Sequence, residues 1–129
     1  MHAELKRILY VEDEASIRTI AITVLEAVGG YSVLACSSGK EAIAAAPSAA
    51  ADLVLLDVMM PEMDGPATLQ ALRAIPQTAR TPAIFMTAKI QPGEIEQYKK
   101  LGAVDVIAKP FDPMTLSAQI KDIWQKAAC

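Results

Sequence analysis

Histidine and cysteine are nearly absent from the 129 residues, which contain one His and two Cys. Cys36 and Cys129 are far apart and have no metal-ligand company, so both are expected to be reduced, and neither a disulfide framework nor a thiolate metal site is indicated. His2 lies in the N-terminal tail with no candidate nucleophile beside it and reads as a solvated residue. No apolar run approaches the ~20 residues that a membrane helix needs. The opening MHAELKRILYVEDE also puts acids where a signal peptide would need its cleavage site, so a cytoplasmic protein is expected. Charge of one sign is scarce too. Twelve Lys and Arg against fifteen Asp and Glu leave a net charge of −3, which gives no electrostatic case for nucleic acid or membrane lipid as a partner.

What is present is a globular composition, 53% hydrophobic and 21% charged, in a length that suits one domain spanning 1–129. Five short apolar runs read as strands near residues 6–11, 31–36, 52–57, 82–87 and 103–108. Helical patterns alternate with them. The first starts at Glu14, with Ile17, Ile20, Ala21, Val24, Leu25 and Val28 on one face, and stops at Gly29-Gly30. Ser38-Gly39-Lys40-Glu41 has the form of a capping box, and its Ala-rich helix is expected to break near Pro47. Asp64 can cap a third helix carrying Leu69, Leu72 and Ile75, and Pro92-Gly93 opens a fourth carrying Ile95, Tyr98 and Leu101. Asp112-Pro113 opens a fifth with Leu116, Ile120, Ile123 and Trp124 as its core stripe. Strict alternation of this kind predicts an α/β fold with a parallel sheet covered on both faces by right-handed crossovers.

The chemistry gathers at strand ends. DLVLLDVMMPEMDG, from Asp52 to Gly65, is an apolar strand that delivers Asp57 to the carboxyl edge of the sheet, where open parallel sheets bind ligands. Taken alone, Asp57 could equally be a helix cap or a hydrogen-bonded strand-end acid. The other strands bring Glu12 and Asp13, Thr87 and Lys109 to the same edge. Three clustered carboxylates repel one another, so the set implies protonation or a bound cation. With oxygen donors only, the cation is a hard one, Mg²⁺, and a backbone carbonyl such as that of Met59 can complete the protein's share. Lys109 and Thr87 suit a tetrahedral oxyanion. A carboxylate nucleophile, a metal and a neutralising lysine are the parts needed to make an aspartyl phosphate, with Asp57 as the nucleophile.

With VEDE from Val11, LLDVMMPEMDG from Leu55, MTA from Met86 and KPF from Lys109, in this order and spacing, the chain resembles a response-regulator receiver domain over essentially its whole length. The resemblance implies a flavodoxin-like, doubly wound five-stranded sheet in the order 2-1-3-4-5. It also implies that Asp57 is the phosphoacceptor, Glu12 and Asp13 the acidic metal pair, Thr87 the switch hydroxyl and Lys109 the contact to the phosphoryl group, with a cis Lys109-Pro110 bond. The implied donor is a phosphohistidine on a sensor histidine kinase or a histidine phosphotransfer protein. The resulting function is a phosphorylatable signalling switch that assists only its own phosphoryl transfer and hydrolysis.

Two positions depart from the commoner pattern, Glu12 and Val106, and two more, Met59 and Lys89, resemble the family's variable positions that modulate attack of water on the phosphoaspartate. Glu12 replaces an Asp, which keeps charge and reach. Val106 stands where many members carry an aromatic residue that rotates on activation, so the region of the fourth helix and fifth strand is expected to respond weakly. Met59 and Lys89 are expected to shield the acyl phosphate and lengthen its lifetime.

Rival readings are weaker. An FMN carrier on the same fold would need a phosphate cradle where this chain has the acidic VEDEAS, and an Asp-nucleophile phosphatase would need an acid where Met59 stands. A receiver that has lost phosphorylation and serves as a docking module has no use for the full five-residue set. The chain can be free-standing, or a receiver cut from a hybrid kinase or longer regulator. Lys99, Lys100, Lys121 and Asp105 read as solvated charges, and a monomer or weak dimer is expected.

Overall fold

The protein is described by a computed structural model covering residues 4–88 and 91–127. Five parallel strands, β1 (Arg7–Val11), β2 (Ser32–Cys36), β3 (Leu53–Asp57), β4 (Ala83–Thr87) and β5 (Asp105–Ala108), form one sheet in the order β2-β1-β3-β4-β5. The helices are α1 (Ala15–Ala27), α2 (Gly39–Ala49), α3 (Gly65–Arg73), α4 (Pro92–Lys100) and α5 (Leu116–Ala127), with one 3₁₀ turn at Pro76–Thr78. The flavodoxin-like order expected from the resemblance is the one observed.

Side chains that alternate along a strand feed two cores. Ile8, Tyr10, Leu53, Leu55, Ile84 and Met86 pack under α1 and α5, with Ala21, Leu25, Leu116, Ile120 and Trp124. Leu9, Val11, Val54, Leu56, Ala83 and Phe85 face α2, α3 and α4, with Ala42, Ala46, Leu69 and Leu72. The two helical layers explain why the central strands are apolar without interruption. β3 and β4 are buried at every residue.

Several local expectations need correction. α2 does not break at Pro47; it runs on to Ala49 and ends where Ala50 takes a left-handed φ of 51°. Pro47 is exposed and in the last turn, so its ring and missing N–H disturb a single hydrogen bond near the end of the helix. On α1, Ile20 and Val28 are exposed, and Ile22 packs on the core instead. Ile75 lies beyond the end of α3, and the regular part of α5 starts at Leu116. Asp112 nevertheless caps the turn that leads into α5, its carboxylate accepting the Met114 N–H at 2.9 Å. β5 begins two residues later than expected, at Asp105.

Loops are held by specific bonds. Gly30, at φ 72°, lets Gly30 and Tyr31 return their N–H groups to the carbonyls of Glu26 and Leu25, which ends α1 and starts β2. The Arg73 guanidinium donates to the carbonyls of Thr78 and Thr81, and at 3.4 Å to that of Gly102, tying α3 to the turns before β4 and β5. α4 has no buried residue. Its firmest attachment is an edge-on contact of Tyr98 with Phe85, ring centres 5.3 Å apart.

Candidate functional site

β1 and β3 are neighbours in register, Tyr10 opposite Leu55 and Val11 opposite Leu56, so Glu12 and Asp57 leave the sheet side by side. Both are buried. Asp13, next in the chain, is exposed. One carboxylate oxygen from each of Glu12, Asp13 and Asp57 lies within 4.8 Å of the others, the separation at which three oxygens can share one cation.

Lys109 reaches into this cluster from the end of β5. Its Nζ is 2.9 Å from Glu12 Oε1 and 3.1 Å from Asp57 Oδ1, and its side chain is only 18% exposed. The peptide bond to Pro110 is cis, as the resemblance implied. Lys109 also donates its backbone N–H to the carbonyl of Thr87 at 3.0 Å, which ties together the ends of β4 and β5. Thr87 is itself buried. Glu12, Asp13, Asp57 and Lys109 therefore gather at one edge of the sheet, and Thr87 lies at that edge at the end of β4.

The electrostatics follow from burial. Desolvation pushes the Glu12 carboxyl up to about 7; the hydrogen bond from Lys109 works against this, and the charge of Asp57 adds to it. For Lys109, burial alone would lower the ammonium pKa, but the hydrogen bond to Glu12 and the charge of Asp57 outweigh it and leave the group above its ordinary value. A carboxyl held near neutrality by its surroundings, with one lysine for three acids, is a site that favours a further cation. The donors are carboxylate oxygens, the hard ligands that Mg²⁺ takes.

Met59 follows Asp57 by two residues in the loop after β3 and is 67% exposed. Lys89 lies outside the described residues, as do His2 and Cys129.

Three contributors were not foreseen. Arg18, on the first turns of α1, donates to the carbonyl of Glu12 at 2.8 Å and to that of Asp13 at 3.5 Å, fixing the backbone of the acidic pair. Its sequence signal is only a cation one helical turn into α1. Gly65 packs so closely on β3 that a Cβ there would sit 2.6 Å from the Asp57 carbonyl oxygen. The third is Tyr10, a polar-tipped residue in the buried, otherwise apolar part of β1, two positions before Glu12 and on the same face.

The family model described as "Response regulator receiver domain" matches residues 8–121. The "Probable transcriptional regulator ycf27" of Pyropia yezoensis is 38% identical over 127 residues, 98% of this chain and 51% of the relative. The "Alkaline phosphatase synthesis transcriptional regulatory protein PhoP" of Bacillus subtilis is 38% identical over 122 residues, 95% of this chain and 50% of the relative. The chain thus spans about half the length of the curated relatives it matches. Among solved structures, chemotaxis protein CheY4 of Vibrio cholerae superposes with a TM-score of 0.85 at 32% identity, over 93% of this chain and 99% of that one. The signal receiver domain of a Syntrophus aciditrophicus histidine kinase gives 0.78 at 30%, over 94% and 91%.

Proposed function

The chain belongs to the response-regulator receiver family, and from that premise we propose that Asp57 is the residue that takes the phosphoryl group. The observation that carries this is the bridge of Lys109 between Glu12 and Asp57 in a pocket where three carboxylate oxygens converge. Receiver domains are signalling switches rather than turnover enzymes, and this chain acts as one. A phosphohistidine on a sensor kinase or phosphotransfer protein is the donor. An Asp57 carboxylate oxygen forms the new O–P bond as the P–N bond to imidazole breaks, and the freed imidazole takes up a proton.

Glu12, Asp13 and Asp57, with the Met59 carbonyl, are the residues that would hold Mg²⁺, which when bound neutralises charge on the phosphoryl oxygens. Lys109 faces the remaining charge from its side of the pocket, and Thr87 offers a hydroxyl to a phosphoryl oxygen once one is present. Movement of Thr87 toward it is the step that reaches the surface. Switching needs only ~1–3 kcal/mol of preference between two states. The whole chain, 1–129, is read as a single receiver domain, monomeric or weakly dimeric, acting in the cytoplasm. Any contact with nucleic acid belongs, in this reading, to further chain in a longer regulator.

The test is incubation with a small acyl-phosphate donor, with and without Mg²⁺, read by intact mass beside Asp57→Asn. One metal-dependent phosphoryl adduct that the Asn variant lacks is expected. A folded protein that binds Mg²⁺ yet gains no adduct would leave a docking module in its place.

A further inference from the structure

Among the described residues, the Tyr10 hydroxyl is the buried side-chain polar atom with no hydrogen-bond partner. The residue is fully enclosed and belongs to the core beneath α1 and α5. A phenylalanine would fill the same volume without leaving a donor unpaired, so the oxygen has a cost in the resting protein and no return there. Its position supplies a reason. Tyr10 precedes Glu12 by two residues on one strand face, ~6.6 Å along the strand, and is paired in register with Leu55, which precedes Asp57 by two on the neighbouring strand. The phenol accordingly lies in the field of Glu12 and Asp57, with Arg18 opposing them.

In the resting state Glu12 is held by Lys109 at 2.9 Å, with the Glu14 N–H at 3.3 Å on its other oxygen. If Lys109 turns to a phosphoryl group on Asp57, Glu12 loses its closest donor while remaining buried. We propose that Tyr10 is a positioning residue of the phosphorylated state, its hydroxyl donating to the Glu12 carboxylate, directly or through one water, when Lys109 leaves Glu12 for the phosphoryl group. This rests on the phosphoryl-transfer reading above. It predicts that the oxygen of Tyr10 contributes nothing to the resting fold and becomes useful only on phosphorylation.

The experiment compares the parent with Tyr10→Phe, which removes one oxygen and preserves the packing. Beryllofluoride with Mg²⁺ serves as the phosphoryl mimic, and its affinity is titrated by NMR with the tyrosine Cζ carbons labelled. In the variant, the dissociation constant should rise about tenfold, the scale of one hydrogen bond to a charged group. Its metal-free thermal midpoint should match or exceed that of the parent. In the parent the Cζ signal assigned to Tyr10, the one missing from the variant, should move on mimic binding.

Equal affinity of the two proteins overturns the proposal. So does a metal-free midpoint that falls in the variant, because the hydroxyl would then be partnered at rest. A parent that fails to bind the mimic takes down the phosphoryl-transfer reading as well, which separates the two failures.

Discussion

Replacing Glu12 by glutamine should stabilise the metal-free protein at alkaline pH. The carboxyl is buried, and burial holds its pKa at about 7, against an ordinary value of 4.5. A raised pKa means that the folded state binds more protons than the unfolded chain between these values. Stability contributed by the neutral acid is therefore complete below 4.5 and lost as pH climbs through 7. A gap of roughly 2.5 units at about 1.4 kcal/mol each gives a loss on the order of 3 kcal/mol. Glutamine copies the neutral acid, and its carbonyl can still accept from Lys109, so the variant escapes that loss.

For a domain of this size, ~1 kcal/mol corresponds to about 3–5 °C, so Glu12→Gln should melt roughly 10 °C above the parent near pH 8 and almost level with it near pH 4.5. Thermal and urea unfolding in a chelator, followed by circular dichroism across that range, measures it. Adding Mg²⁺ should narrow the gap at alkaline pH, because only the parent keeps the full set of acids. A difference that does not vary with pH, or a variant less stable than the parent at alkaline pH, would refute this account of the site.

Gly65→Ala would place a Cβ 2.6 Å from the Asp57 carbonyl oxygen and 2.8 Å from Val58 Cα. Backbone must move, so unfolding should show a loss of about 1–3 kcal/mol, and adduct formation at Asp57 should slow at least tenfold. Pro47→Ala restores an N–H in the last turn of α2 and should raise stability by ~1 kcal/mol in a urea titration, less what the unfolded chain gains in freedom. With Val106 in place of an aromatic, backbone NMR with beryllofluoride should show only small changes across α4 and β5. Large shifts from Lys89 to Lys109 would contradict that expectation.

The layout of strands was legible because buried parallel strands leave uninterrupted apolar runs, as in LVLL before Asp57 and AIFM before Thr87. The placing of the strand-end side chains was legible for a related reason, since Glu12, Asp57, Thr87 and Lys109 each follow directly from the last apolar residue of a strand and Asp13 comes one residue later. Helix details were harder to read. Ile20 and Val28 share a helical period with Ala21 and Leu25, and periodicity alone cannot tell the centre of an apolar stripe from its exposed flank. Pro47 misled because the usual penalty applies to an interior turn, and it sits in a final one. Arg18 was missed since its partners are backbone carbonyls, which have no side-chain identity in a sequence.

The loosest attachment in the fold, α4, has a consequence for how such a protein diversifies. A helix that commits none of its nine residues to the interior can be rewritten almost anywhere along its length without cost to the core. Only Tyr98, against Phe85, asks to be kept. Copies of such a fold can therefore diverge along the exposed face of α4 while the carboxylate cluster around Asp57 and the core beneath it stay the same, a change of surface that the fold barely registers.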